Sequence, residues 1–256
     1  MNRKKSKHSK ETKNHIQKIF IIIFIISICA IAFYFYNRNK NKGKNILAET
    51  NIDEEQVTEQ RTERMLQVEE LKKENQDIVG WLEIEGTNIN FPVVQGTDNE
   101  YYMKHTYNKE NSKDGSIFLD KNYDWNIPSG NLLLYGHNNK DGTMFQNLLK
   151  YKEESFYKEH PIIRFTTIND DCQYEIISAF LSRVYYEDEQ NVFRYYYFVN
   201  AHNETEYNNY VEECKKASLY DTGITAEYGE QLLTLSTCSY HTEDGRFVVV
   251  AKKLRK

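Results

Sequence analysis

From residue 79 to residue 253 the chain is a succession of short apolar runs broken by turn residues. The runs are GWLEI, INFPVV, GSIFLD, NLLLYGH, PIIRFTT, CQYEIISAFLSRVYY, QLLTLST and RFVVVAKK. Most are too short for helices and rich in β-branched and aromatic residues. Several are bounded by Gly, Pro, Asn or Asp, which predicts strands. About eight strands with few helices can bury their apolar faces by closing on themselves, and closure also removes exposed edges. The expected class is therefore mostly β with peripheral helices (α+β), arranged as an eight-stranded barrel.

Three segments carry a different period. In ETEYNNYVEECKKAS, Tyr207, Tyr210, Val211 and Cys214 recur at helical spacing, which places a helix in the long insert before the QLLTLST strand. MFQNLLKY, from Met144, predicts a short helix. Residues 53–76 lack Gly and Pro and are rich in Glu, Gln, Lys and Arg, with Val57, Met65, Val68 and Leu71 near helical spacing. One or two amphipathic helices are expected there.

The 256-residue chain has a net charge of -5, unevenly spread. Residues 1–44 hold 11 Lys/Arg and one acid, Glu11, whereas the rest holds 22 Lys/Arg and 37 Asp/Glu. An acidic body argues against a nucleic-acid partner, which needs a basic face. The basic end surrounds an uncharged run of 18 residues, Ile19 to Tyr36, in which Ser27 is the one plainly polar residue. A hydrocarbon core of about 30 Å takes about 20 apolar residues in a helix, so this run is expected to span a membrane. Ala30-Ile31-Ala32 has the look of a signal-peptide cleavage site, but the apolar run continues through Phe33-Tyr34-Phe35-Tyr36, which favours a retained anchor. Seven Lys/Arg precede the run and four follow it, an excess that favours an N-terminus inside the cell. The expected organisation is a basic cytoplasmic tail (1–18), an anchor (19–36), a polar stalk (37–52) and an extracellular domain with its N-terminal helices (53–256).

Outside the anchor lie three cysteines, Cys172, Cys214 and Cys238. An odd number cannot all pair, so at least one thiol is free, and an external free thiol is either incidental or a nucleophile. Cys238 ends an apolar strand at a rim. Such a nucleophile needs a proton-handling partner and an oxyanion donor. Among His105, His137, His160, His202 and His241, His137 stands out because a rigid strand, NLLLY, exits through Gly136 directly into it. Arg246 opens the next strand after a short connection, and hairpin geometry sets it opposite Cys238, with Cβ atoms about 5 Å apart. Its planar fork could hold a carbonyl or an oxyanion. The alternative is a surface arginine paired with Glu243 or Asp244. The acidic tract YYEDEQN (Tyr185–Asn191) lacks the ligand spacing of a calcium loop and reads as a solvated loop. No cofactor or metal is expected.

Taken together, TLSTC, an Arg eight residues beyond the Cys, and an upstream LYGH resemble the sortases, the cysteine transpeptidases of Gram-positive surfaces. The likeness to class B sortases is closer, through DIVGWLEIEGTNINFPVVQG, GSIFLD, TMFQNLLKY, LLTLSTCSY…DGRFVVVAKK and the helical insert, and it covers residues 76–253. The resemblance implies the eight-stranded sortase barrel with an N-terminal helical pair and a membrane anchor. It implies Cys238 as nucleophile, with His137 and Arg246 completing the triad. Ser236 matches a position that supports the arginine or the substrate, and Tyr135 one that lines the peptide groove. Asn99, Met103, Val192 and Phe193 lie where class B enzymes contact the sorting peptide. Some class B members carry an acid directly after the cysteine. Here the residue is Ser239, so a contact made by that acid does not carry over. The implied reaction cleaves the C-terminal sorting signal of a secreted protein at a Thr, often within an Asn-Pro-x-Thr-type motif. The acyl group then passes to an amine of a peptidoglycan precursor or cross-bridge. A pilin polymerase using a lysine acceptor, or a non-catalytic wall-associated scaffold, are the alternatives.

Overall fold

The computed structural model describes residues 63–127 and 129–255. The expected tail, anchor and stalk lie outside these residues, as do residues 53–62 of the expected N-terminal helices. Among the described residues no helix is long and apolar enough to cross a membrane.

All eight β-rich runs form strands: β1 (Ile78–Glu83), β2 (Asn90–Val94), β3 (Ile117–Leu119), β4 (Asn131–Tyr135), β5 (Ile162–Thr166), β6 (Asp171–Arg183), β7 (Leu232–Cys238) and β8 (Gly245–Lys253). They close into a barrel in the order β1-β2-β3-β4-β7-β8-β6-β5. The closing pair is β1 with β5, from Trp81 opposite Thr166 to Glu83 opposite Arg164. Two pairs are parallel, β2 with β3 and β4 with β7, and the rest antiparallel. β3 is buried throughout, and β4 and β7 are buried up to their last residue. That explains why these strands read as continuous apolar runs instead of alternating ones: both faces are covered.

The described chain opens in a helix over residues 63–74 (α1). Val68 is fully buried and Leu71 packs beside it, against Ile78, Val94, Tyr102 and Phe118. Arg64 lies over the Trp81 ring at 4.5 Å and meets Glu83 at 3.2 Å, so α1 is tied to β1 by charge as well as by apolar contact. The MFQNLLKY segment forms a 3-10 helix, Gln146–Lys152, followed by one short α-helix, α2 (Glu154–Glu159), that the sequence pattern did not suggest.

The insert helix forms as expected, α3 (Glu204–Ala217), with Tyr207, Tyr210, Val211 and Cys214 buried. Asn203 caps it by accepting the Glu206 N–H. Glu204 and Glu206 sit in the first turn and Lys215 and Lys216 in the last, matching the helix dipole at both ends.

Candidate active site

Strand polarity builds the site. Because β4 and β7 run parallel, in register from Asn131 opposite Leu232 to Tyr135 opposite Ser236, their C-terminal ends emerge at the same rim. β8 is antiparallel to β7, so its first residues sit at that rim too. Cys238, the last residue of β7, is the register partner of Arg246. The connection between the strands is six residues, Ser239–Asp244. The β4–β7 alignment continues past the strand ends: Thr237 Oγ1 donates to Gly136 O at 2.8 Å, and Asn138 Nδ2 donates to Cys238 O at 2.9 Å. These bonds tether the cysteine to the loop that carries His137.

His137 is oriented by a third segment. After β2 the chain makes a 3-10 turn, Tyr101–Met103, and the His137 ring bonds through Nε2 to Met103 O at 2.8 Å. A carbonyl only accepts, so Nε2 carries the proton and Nδ1 is left to take or give one. The turn reaches this position because Gly115 has φ +58 and no Cβ; a Cβ there would lie 2.7 Å from the Met103 carbonyl oxygen.

Cys238, His137 and Arg246 line one cleft of about 290 Å³, together with Ser236, Tyr135, Asn99 and Met103. A larger hollow of about 790 Å³ beside α3 contains none of the predicted site residues. Val192 and Phe193 do not line the cleft. The Phe193 ring packs 6.0 Å from that of Phe180 and 5.7 Å from that of Tyr210, while Tyr195 and Tyr196, a little further along the segment, do reach the cleft.

The other histidines among the described residues lie outside the cleft. His105 stacks on Tyr101, His160 packs against Phe156, His241 bonds to Ser239 Oγ, and His202 is exposed.

Arg246 does not pair with Glu243 or Asp244 through their side chains: among the described residues no carboxylate lies within 4 Å of its guanidinium. Its Nη1 instead donates to the backbone oxygens of Asp244, at 3.1 Å, and Gly245, at 3.0 Å, which anchors the fork on the hairpin. In the same cleft, Tyr195 Oη and Ser236 Oγ share a buried hydrogen bond of 2.7 Å. Burial pushes the Tyr195 phenol up to about 12, against the opposing effects of the Ser236 bond and the Arg246 charge, so Tyr195 stays neutral. All three described cysteines are free, and Cys238 is the one that is not buried.

Tyr195, Asn138 and Asp120, which holds Asn99 and Tyr135 from behind, are site residues that the sequence did not reveal. Tyr195 lies within YYYF, a run without period, and the partners of all three are distant in sequence.

A partly exposed thiol facing a guanidinium, with an oriented imidazole at the same rim, defines a cysteine-dependent acyl-transfer site. Residues 82–254 match the family model described as the Sortase domain. The chain is 34% identical over 191 residues to sortase B of Staphylococcus aureus and 32% identical over 192 residues to sortase B of Listeria monocytogenes. Each match covers 74% of this chain and 75% of the relative. Among solved structures, Clostridium perfringens sortase B superposes with a TM-score of 0.66 at 34% identity, covering 73% of this chain and 99% of that one. A Staphylococcus aureus sortase B–substrate complex gives 0.67 at 32%, covering 78% and 91%. The chain belongs to the sortase family. It is of the sortase B type, a cysteine transpeptidase.

Proposed function

We propose that this enzyme cleaves the C-terminal sorting signal of secreted proteins after a Thr and joins the new carboxyl end to a cell-wall amine. The observation that carries the reading is the in-register pairing of Cys238 with Arg246 at the rim that also holds His137. The Cys238 thiolate attacks the Thr carbonyl carbon, and Arg246 stabilises the oxyanion that forms. Collapse of the tetrahedral intermediate breaks the C–N bond. His137 gives a proton to the departing amine, and a thioester remains on Cys238. An incoming amine attacks the thioester, His137 takes its extra proton, and the C–S bond breaks to regenerate the thiolate. Such donors on a developing oxyanion account for large rate factors in acyl transfer.

The acceptor is a free amine of a peptidoglycan precursor or cross-bridge. The support is by kinship: a sortase B similar in structure, at a TM-score of 0.67 and 32% identity, is described as complexed with triglycine. Residues 19–36 anchor the enzyme in the cell membrane with the N-terminus inside, and the acidic domain acts outside. Support for this comes from the uncharged length of that run and the basic residues on its inner side.

The test is mass spectrometry of products from the full-length protein given a library of sorting peptides with triglycine or a lysine-containing peptide as acceptor. The expected result is an amide joining the Thr carboxyl to triglycine. Hydrolysis at another bond, or exclusive transfer to the lysine side chain, would overturn the wall-anchoring reading, the second outcome in favour of pilus assembly.

A further inference from the structure

Asp120 follows β3 and is 3% exposed. Among the described residues no cation lies within ion-pair distance of it. A buried carboxylate without a counter-ion is costly unless hydrogen bonds compensate it. Here they come from three donors. Asn122 N–H donates to Oδ1 at 2.9 Å, and Asn99 Nδ2 and Tyr135 Oη donate to Oδ2 at 2.8 and 3.2 Å. Two of the three belong to side chains that line the catalytic cleft.

The three bonds fix more than position. Asn99 Oδ1 accepts the Lys121 N–H at 2.9 Å while its Nδ2 donates to Asp120, so only one orientation of the amide satisfies both ends. One Nδ2 hydrogen remains. Tyr135 gives its only O–H to Asp120, so towards any other group its oxygen can only accept. Burial, reinforced by the Asp120 charge, pushes the Tyr135 phenol above its ordinary range and keeps it protonated. Asn99 Nδ2 and Tyr135 Oη, both within 3.2 Å of one carboxylate oxygen, thus form one donor and one acceptor on the same wall. A peptide unit carries the complement, a carbonyl and an N–H.

We propose that Asp120 is a positioning residue for peptide binding, which sets Asn99 as a donor and Tyr135 as an acceptor towards the backbone of the sorting peptide. The proposal rests on the reading of this cleft as the peptide site. Asp120→Asn keeps the shape but replaces an acceptor with an amide donor. Because the Asn122 N–H still needs an oxygen, the new NH2 faces Asn99 and Tyr135, and both must turn.

The test uses the full-length protein, a quenched fluorogenic peptide with an Asn-Pro-x-Thr core, and triglycine. Asp120→Asn is expected to raise KM by about tenfold or more, the scale of one lost buried hydrogen bond or two, with kcat within about threefold of wild type. Alkylation of Cys238 by iodoacetamide is expected to proceed at the wild-type rate. In an Asn99→Ala/Tyr135→Phe background the same substitution is expected to change KM by less than about twofold, because its targets are gone. An unchanged KM, or an equal rise in both backgrounds, would overturn the proposal. Asp120→Glu keeps the charge but moves the acceptor by one methylene. It is expected to raise KM in the same way and decides the matter if Asp120→Asn does not fold. Cleavage by Cys238→Ala would instead defeat the reading of the cleft itself, whatever Asp120 does.

Discussion

Cys238 and Arg246 face one another as register partners across β7 and β8, and Arg246 is steadied by the backbone carbonyls of its own hairpin. The guanidinium is therefore aimed by the turn and not by a neighbouring acid. Arg246→Lys keeps the charge but loses the planar fork. It is expected to lower kcat/KM by on the order of 100-fold, and Arg246→Ala by somewhat more. His241→Ala should stay within about twofold of wild type, and His137→Ala should fall as far as Cys238→Ala. Steady-state kinetics on variants checked by circular dichroism reads this directly. A healthy His137→Ala beside a dead His241→Ala would mean that the wrong histidine has been assigned.

The same hairpin depends on Gly245. A Cβ there would lie 2.1 Å from Ser239 O and 2.9 Å from Thr242 O, both backbone atoms, so the turn itself would have to open. Gly245→Ala is expected to cost about 1–3 kcal/mol in urea unfolding, the range of local overpacking. It should also lower turnover, because the displaced segment carries Arg246. Wild-type stability and turnover in this variant would show that the hairpin geometry is not what holds the pair.

The thiols should separate by reactivity. Burial pushes the Cys172 thiol up to about 11, with Asp170 adding to the shift, and burial holds Cys214 higher still. Only the thiolate reacts. Iodoacetamide near neutral pH is therefore expected to modify Cys238 and spare Cys172 and Cys214, as read by peptide mapping. Cys172→Ala and Cys214→Ala should keep their turnover. Rapid labelling of either in the folded protein would contradict this packing.

Acid should loosen the segment that orients His137. Asp77 bonds to Tyr102 Oη at 2.7 Å and pairs with Lys109 at 2.9 Å, bracing the turn that carries Met103. Burial pulls the Asp77 carboxyl upward, but Lys109 and Tyr102 outweigh it and hold the net value below the ordinary carboxylate range. A depressed folded-state pKa contributes stability that is present above the unfolded value of about 3.9 and is lost as pH falls below it. The stability difference between wild type and Asp77→Asn should thus be present at neutral pH and vanish in acid. Both partners are partly exposed, so added salt should shrink it. A difference that grows towards acid has the wrong sign for this account.

The sequence made the strands legible because the apolar runs are short and several are delimited by turn residues, and α3 because Tyr207, Tyr210, Val211 and Cys214 keep a strict helical spacing. The facing of Cys238 and Arg246 was legible for the same reason: hairpin geometry is local. His137 was harder to place. It shares the cysteine's rim because β4 and β7 pair in parallel, a long-range choice that no local pattern records, and the family motif was needed to secure it. Asp120, Asn138 and Tyr195 left no local trace, since each acts through hydrogen bonds to partners far along the chain. Residues 146–152 kept helical composition but fold as a 3-10 helix, where short-range propensity hardly discriminates.

Acyl transfer through Cys238 leaves a covalent intermediate that intact-protein mass spectrometry reads directly. The full-length protein is mixed with the Asn-Pro-x-Thr peptide, quenched in acid, and compared with a sample chased with triglycine. The expected result is a mass increment equal to the acyl fragment, the peptide up to and including its Thr less one water, located on Cys238 by fragmentation. The increment should disappear on the chase as the peptide–triglycine product accumulates, and should be absent in Cys238→Ala. An adduct on any other residue, or cleavage that persists in Cys238→Ala, would contradict it.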